Sequence, residues 1–348
     1  MTDRINRFVR PAIRTWVLAA LFALCAGVVF AGGAGEAATA DQTFELRLAT
    51  VVSPPHPWVD MAEFFAEEVR ERTDGNVTVR IHHSGALGND EATIDEMRIG
   101  SIDFVIGGVS NAVSFLPEYQ ITGFSYLFED LDHFRRVTAN DSPFFEYLVR
   151  RHEERNLPIQ LLALAGGGTR VTSTNIGGVT HPDDLNGVRI RLPGNPLEAR
   201  IWEEFGALPT SLPWGEIYTA VQTGLVNAFE STISGYYGSR LYEVAPHQSL
   251  TNHQIMISHF TGSQRTLDRL PQEYRQVIEE VAAVAGQMGT DKGAEYDQTL
   301  LEEMQAEHNV QVHAVDTEPF IQRVRPLHDE LARQAGVTTL LEIVREMQ

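Results

Sequence analysis

The stretch LNGVRIRLPGNPLEARIWEEF, residues 185–205, changes its period within a few residues. After Gly187, Val188, Ile190 and Leu192 alternate with Arg189 and Arg191, the pattern of a half-buried strand. Pro193 cannot donate to a strand ladder and ends it. Asn195 is a good N-cap, Pro196 suits the first helical position, and Glu198 stands three residues after the cap, a capping-box arrangement. The strand therefore delivers Arg191 beside a helix N-terminus. Free N–H groups there attract anions, and a guanidinium grips a carboxylate through two parallel hydrogen bonds. Spacing alone leaves two readings open: an arginine that holds a carboxylate guest, or two arginines on a solvated strand face.

Outward from this stretch, strands and helices keep alternating, which implies an α/β architecture. FELRLAT (44–50) reads as a strand, PPHPW leads into an amphipathic helix ending at Thr73-Asp74-Gly75-Asn76, and NVTVRIHH is the next strand. Asn89 or Asp90 caps a helix through Arg98 that Gly100 closes, before the strand IDFVIGG. Ligands of such sheets collect at the carboxyl ends of strands, so Val51, Val52 and Ser53, and Gly107 to Ser110, are candidate cleft lining. The glycines read equally as a turn needing backbone freedom. SFLPEYQITGFSYLFEDLDHF is aromatic-rich and reads as core. Two helices follow, then PIQLLALAGGGTRVTSTN, a buried strand running into Gly166–Gly168 and Arg170. That glycine run lacks both the Lys-Ser/Thr ending of a phosphate loop and GxGxxG spacing, and reads as a crossing between lobes. PTSLPWGEIYTAVQTG gives a strand, a turn and a helix closed by Gly224, with Trp214 a candidate apolar wall, and VNAFEST is again a strand. A helical pattern from Pro271 to about His308 contains Gly286, Gly289 and Gly293; VQVHAVD and terminal helices complete the chain.

The 348 residues are enough for two lobes. Arg4, Arg7, Arg10 and Arg14 precede WVLAALFALCAGVVFAGGAG, and Ala38-Thr39-Ala40 offers a small-residue cleavage site, the layout of a signal peptide over residues 1–40. A retained anchor is the alternative, and a lipidated Cys25 is opposed by Leu24. Cleavage would remove the single cysteine, so the mature chain would rely on its core rather than disulfides. Removing four arginines and two acids takes 27 basic and 47 acidic residues to 23 and 45, a balance of −22. That excludes nucleic acid as the expected partner, and any bound anion needs local cations.

No HExxH, GxSxG, phosphate-loop or CxxC pattern occurs, and the twelve histidines do not fall at metal-ligand spacings, so no catalytic residue, cofactor or metal is expected. A hydrolase or isomerase using Glu216 or Glu230 with a histidine stays open, because catalytic groups can lie far apart in sequence. His253 reads as a hydrogen-bonded histidine at a strand end, or as a proton carrier.

The run from 185 through GALPTSLPWGEIYTAVQTGLVNAFESTISGYYGSRLYEVAPHQSLTNH, together with HHSGALGNDEATIDEMRIGSIDFVIGG and GGGTR at 166–170, resembles the DctP-like substrate receptors of tripartite ATP-independent periplasmic (TRAP) transporters. The resemblance implies a two-lobed periplasmic binding protein fold with a long helix spanning both lobes, whose glycines would let it bend on closure. Lobe I would be 41–167 plus about 256–295, and lobe II 168–255 plus about 296–348. It further implies a receptor that closes on a small organic acid and hands it to membrane permease subunits driven by an ion gradient. Arg191 would be the carboxylate grip, with Arg170 of the G-T-R segment as a second cationic contact or else a surface arginine beside a hinge. Asn195, Trp214, Ser231, Glu230, Val52 and Gly108 complete the expected ligand site, and a periplasmic monomer is expected. Glu216, Tyr218, Asn252 and His253 match family positions. The chain departs at Asn227-Ala228, where relatives often carry Asp-Gly, and at Ser231-Thr232, where they carry Asn-Pro, so the same substrate is not implied. A receptor for an ATP-driven importer or a sensor is the competing reading.

Overall fold

A computed structural model describes residues 42–348; the expected signal peptide lies outside the described residues. The strands are β1 (Phe44–Ala49), β2 (Val77–His82), β3 (Phe104–Gly108), β4 (Ile159–Thr174), β5 (Arg189–Leu192), β6 (Leu208–Ser211), β7 (Ala228–Thr232), β8 (His247–Ser263) and β9 (Gln311–His313). The helices are α1 (Pro57–Arg72), α2 (Asp90–Ile99), α3 (Leu131–Thr138), α4 (Pro143–Glu154), α5 (Pro196–Glu204), α6 (Ile217–Gln222), α7 (Ile233–Gly238), α8 (Gln264–Leu267), α9 (Gln272–Glu307), α10 (Glu318–Val324), α11 (His328–Ala335) and α12 (Thr338–Glu346). Local chemistry sets several of their ends. Asn89 Oδ1 accepts from Ala92 N–H at 2.9 Å to start α2, and Gly100, at φ 81°, takes the left-handed conformation that stops it.

All nine strands join one mixed sheet in the order β2-β1-β3-β8-β4-β7-β5-β6, with β9 on β8. Two long antiparallel strands, β4 and β8, hold it together. The C-terminal half of β8 pairs with β3, whereas the C-terminal half of β4 pairs with β7. The sheet is thereby split into two halves that share one central pair, the framework of a two-lobed molecule. The register of that pair shifts between Gly166 and Thr169. Gly166–Gly168 thus lie inside a continuous strand, at the place where it passes from one half-sheet to the other.

Burial follows the same division. Leu46, Phe65, Phe104 and Phe260 pack in one core, Val171, Ile217, Phe229 and Tyr236 in another, and a third runs from Phe134 and Phe144 to Ile201, Trp202 and Leu340. The 36-residue α9 spans the first two, giving Ile278 and Val281 to one and Leu300 and Met304 to the other. Two of its glycines, Gly286 and Gly293, allow close approach to a neighbouring strand. A Cβ at Gly293 would lie 2.5 Å from Gly168 N, and one at Gly286 2.8 Å from Leu164 O, so α9 rests directly on the backbone of β4. At the chain end, α12 packs on α4, and Val344 O is hydrogen-bonded to His133 Nε2 at 2.9 Å.

Candidate functional site

On β5, Arg189 is exposed and donates to Gly224 O at 2.9 Å, whereas Arg191, two residues on, is 1 % exposed. Its Nε donates to Leu212 O at 2.8 Å and its guanidinium carbon stands 5.9 Å from the Trp214 ring centroid. The terminal nitrogens have no hydrogen-bond partner, and no carboxylate lies within salt-bridge distance, among the described residues. Burial pulls the Arg191 pKa down to about 10, against the opposing charge of Glu230, so the side chain remains a cation at neutral pH. A desolvated charge without a counter-ion is costly, and an incoming anion relieves that cost.

Arg170 on β4 is buried too, but it is already matched. Its Nε and Nη2 both donate to the carboxylate of Glu230 on β7, a bidentate pair. Burial would raise the Glu230 pKa, but Arg170 and a hydrogen bond from His253 outweigh it and hold the carboxyl well below its usual range. Burial lowers the His253 pKa, with Glu230 opposing. Its Nε2 lies 3.4 Å from Glu230 Oε2 and its Nδ1 3.0 Å from Thr251 Oγ1, so Nε2–H donates to the carboxylate and Nδ1 accepts from the hydroxyl. His253 sits inside β8 rather than at a strand end.

Both arginines line a cavity whose walls include Val52, Trp58, Gly108, Trp214 and Ser231. Ser231 Oγ is buried without a hydrogen-bond partner among the described residues. The opposite side of the cavity brings Asp90, at the start of α2, and Asn111, whose Nδ2 donates to Asp90 Oδ2 at 3.0 Å. Burial pushes the Asp90 carboxyl up to about 6, with the Arg191 charge opposing. Three contacts draw the two sides together. Gly194 N–H donates to Asn111 Oδ1 at 3.4 Å, Asn195 Nδ2 donates to Gln120 O at 3.4 Å, and Ser110 Oγ donates to Glu198 Oε2 at 3.1 Å. Glu198 is 2 % exposed, and burial, with the charge of Glu230 adding, pushes it up to about 8.

Six of the eight expected residues, Arg191, Arg170, Trp214, Ser231, Val52 and Gly108, lie on the cavity wall. Two do not. Glu230 is fully buried behind Arg170. Asn195 spends its Oδ1 on the N–H groups of Leu197 and Glu198, at 3.0 and 3.4 Å, so the helix start is capped from within rather than open to an anion. Glu198 does not reach back as in a capping box; its carboxyl turns inward to Ser110. His56, Trp58, Asp90, Asn111 and Gln254 line the cavity without having been expected there, since each reads in sequence as cap, loop or strand. Among the described residues no three His, Cys, Asp or Glu side chains group to hold a metal ion.

The sequence matches the DctP family, bacterial extracellular solute-binding protein family 7, over residues 48–335. A solute-binding protein of Sulfitobacter sp. strain NAS-14.1 is 31% identical over 88% of this chain and 93% of its own. The fold is shared with the sugar acid binding protein DctPAm of Advenella mimigardefordensis, crystallised with galactonate (TM-score 0.83, 24% identity, 89% of this chain and 100% of that one). It is shared also with a TRAP periplasmic solute binding protein of Bradyrhizobium sp. BTAi1 in complex with galacturonate (TM-score 0.80, 26% identity, 87% and 99%). The cleft between two half-sheets and the match over most of its length agree, and the chain belongs to the DctP family of extracellular solute-binding proteins, as a receptor and not an enzyme.

Proposed function

We propose that this protein captures a small organic acid in the periplasm and delivers it to the membrane permease of a TRAP transporter. The observation that carries the reading is Arg191, a fully buried guanidinium on a cavity wall with its terminal nitrogens unmatched. A carboxylate supplies the bidentate acceptor that this planar donor pair fits. Among the described residues Arg170 Nη1 has no partner and is offered as a hydrogen-bond donor, the Arg170 charge being balanced by Glu230. Trp214 and Trp58 wall the ligand, and the other lobe covers it. The galactonate and galacturonate bound by the related receptors are organic acids of this kind. Residues 1–40 would direct export and be removed, the lobes would meet near residues 167 and 255, and a monomer would dock on the permease.

The test is a thermal-shift screen of residues 41–348 against millimolar organic acids, since a ligand specific for the folded state raises Tm with concentration over Kd. A shift with one acid class that Arg191→Ala abolishes supports the reading. An Arg191→Ala protein that binds the same acid normally overturns it.

A further inference from the structure

We propose that His247 and His313 form a second site, apart from the acid cleft, which takes a divalent transition-metal ion of the kind imidazole prefers: Zn2+, Ni2+ or Cu2+. Neither residue lines the acid cavity, so the inference stands independently of the receptor reading.

Strand pairing makes the site. β8 and β9 run parallel, with His247 opposite Gln311 and Ser249 opposite His313. Residues two apart on a strand share a face, and so do paired residues, which brings the two histidines to one face although 66 residues separate them. His247 Nδ1 and His313 Nε2 stand 3.1 Å apart, with the rings 29° from parallel. Two nitrogens bound to one ion at about 2.0–2.1 Å stand about 2.9 Å apart in a square arrangement and about 3.3 Å apart in a tetrahedral one, which brackets the observed separation.

The surroundings keep the pair placed and available. A Cβ at Gly178 would lie 2.5 Å from His313 Nδ1, so it is a glycine that leaves room for the ring, and Ser249 Oγ accepts from Val179 N–H at 2.8 Å, holding the segment that carries this glycine to the same face. Both histidines are half-buried, which leaves them open to an ion and to the waters that complete its shell. Among the described residues neither has an acidic partner; the histidine ion pairs belong to His181 and His253. Burial lowers the His247 pKa, with the charge of His313 adding, and the neutral imidazole is the form that ligates. Without an ion, one ring donates its N–H to the lone pair of the other. Ligation requires the donor to move that proton to its outer nitrogen, a change of tautomer. Both facing nitrogens then present lone pairs, the ion gives up two waters, and no net proton is released. The ion would tie β9, which is three residues long and pairs with β8 alone among the described strands, to the rest of the sheet.

The purely structural alternative is a hydrogen bond that fastens β9 to β8 and binds nothing. The experiment uses the receptor expressed without a histidine tag, titrated calorimetrically at neutral pH with Zn2+, Ni2+ and Cu2+, on the wild type and on His247→Asn and His313→Gln. These substitutions put an amide group where the facing ring nitrogen stood, keeping the capacity to hydrogen-bond while removing the imidazole ligand. The wild type should bind one equivalent of at least one ion and gain Tm with it, reversibly on addition of EDTA, because an ion bound only by the folded state stabilises that state. Both variants should lose that binding and that gain, with the metal-free Tm as the folding control. The electron paramagnetic resonance spectrum of the wild type at one equivalent of Cu2+ should show coupling to two imidazole nitrogens, a readout that stands even where a variant folds poorly. Absence of binding for all three ions overturns the inference, as does binding that both substitutions leave intact, which would place the ion at other histidines. A Cu2+ spectrum with a single imidazole nitrogen overturns it too. None of these outcomes touches the receptor reading, which the acid screen tests separately.

Discussion

Arg170 and Arg191 are both buried arginines on neighbouring parts of one sheet, yet they stand in opposite electrostatic states. Arg170 is satisfied by Glu230 from within the fold. Arg191 gives one N–H to Leu212 O and keeps the rest of its fork unmatched. The difference separates two tasks that residue type alone does not distinguish. The matched arginine contributes shape and donors, and the unmatched one contributes the charge that makes binding an anion worthwhile.

The comparison breaks most sharply at Glu230. Replacing it by Gln leaves Arg170 buried without its counter-charge, which should destabilise the fold by about 3–5 kcal/mol. The unliganded Tm should fall by roughly ten degrees, at about 2–4 °C per kcal/mol for chains of this order of size. Replacing both partners by apolar residues, Arg170→Met with Glu230→Leu, should recover most of the loss, because a buried pair breaks roughly even with well-packed hydrophobic side chains. An unchanged Tm in Glu230→Gln would show that the pair is not what holds this part of the sheet.

Arg191 should behave in the reverse sense. Arg191→Ala removes a buried charge that no carboxylate pairs among the described residues, so the unliganded protein should lose little stability, while affinity for the native acid should drop by a factor of about thirty or more, the equivalent of about 2 kcal/mol. Arg191→Lys should fail too, since an ammonium cannot reproduce the planar fork. Calorimetry on both variants checks this, and an Arg191→Lys protein of wild-type affinity would show that charge alone suffices.

Glu198 adds a pH dependence to the comparison. Its carboxylate accepts from Ser110 Oγ, and its carboxyl is pushed up to about 8 by burial and the charge of Glu230, with the charges of Arg170 and Arg191 opposing. A folded-state pKa raised above the unfolded value gives a contribution fully present below about 4.5 and lost as pH rises through about 8. The closed arrangement, which holds Glu198 against Ser110, is therefore favoured by protonation. The difference in Tm between wild type and Glu198→Gln should change steadily from pH 5 to pH 8.5, the wild type losing ground as pH rises. A flat difference would place Glu198 in water in the dominant state.

How far these roles can be read from sequence follows from the range of the interactions. The strand-to-helix switch at 187–198 is visible because Gly187, Pro193 and Asn195 act on their immediate neighbours. The long helix α9 is visible for the same reason, as continuous period. What its glycines do is not, because the atoms they touch, Leu164 O and Gly168 N, belong to a strand more than a hundred residues away. The Arg170–Glu230 pair joins residues 60 apart through the register of β4 and β7, and nothing near either residue announces it. Asp90 is hidden differently: next to Asn89 it explains itself as part of a helix start, so a local role conceals a cavity-facing one.

The smallest expected effect is at Arg189, and it sharpens the reading of β5 itself. Arg189 and Arg191 share a strand face by period, and only the depth of the cleft distinguishes them. Arg189 is exposed, with one hydrogen bond to Gly224 O at 2.9 Å. Arg189→Ala should change stability by no more than about 0.5 kcal/mol, as surface substitutions do, and should leave acid affinity within about twofold. Measured beside Arg191→Ala, it holds charge change and strand position nearly constant and varies burial alone. Equal losses of affinity in the two would mean that long-range attraction of the anion, rather than the buried fork, does the binding; salt would then weaken both alike, because screening acts on exposed charges first.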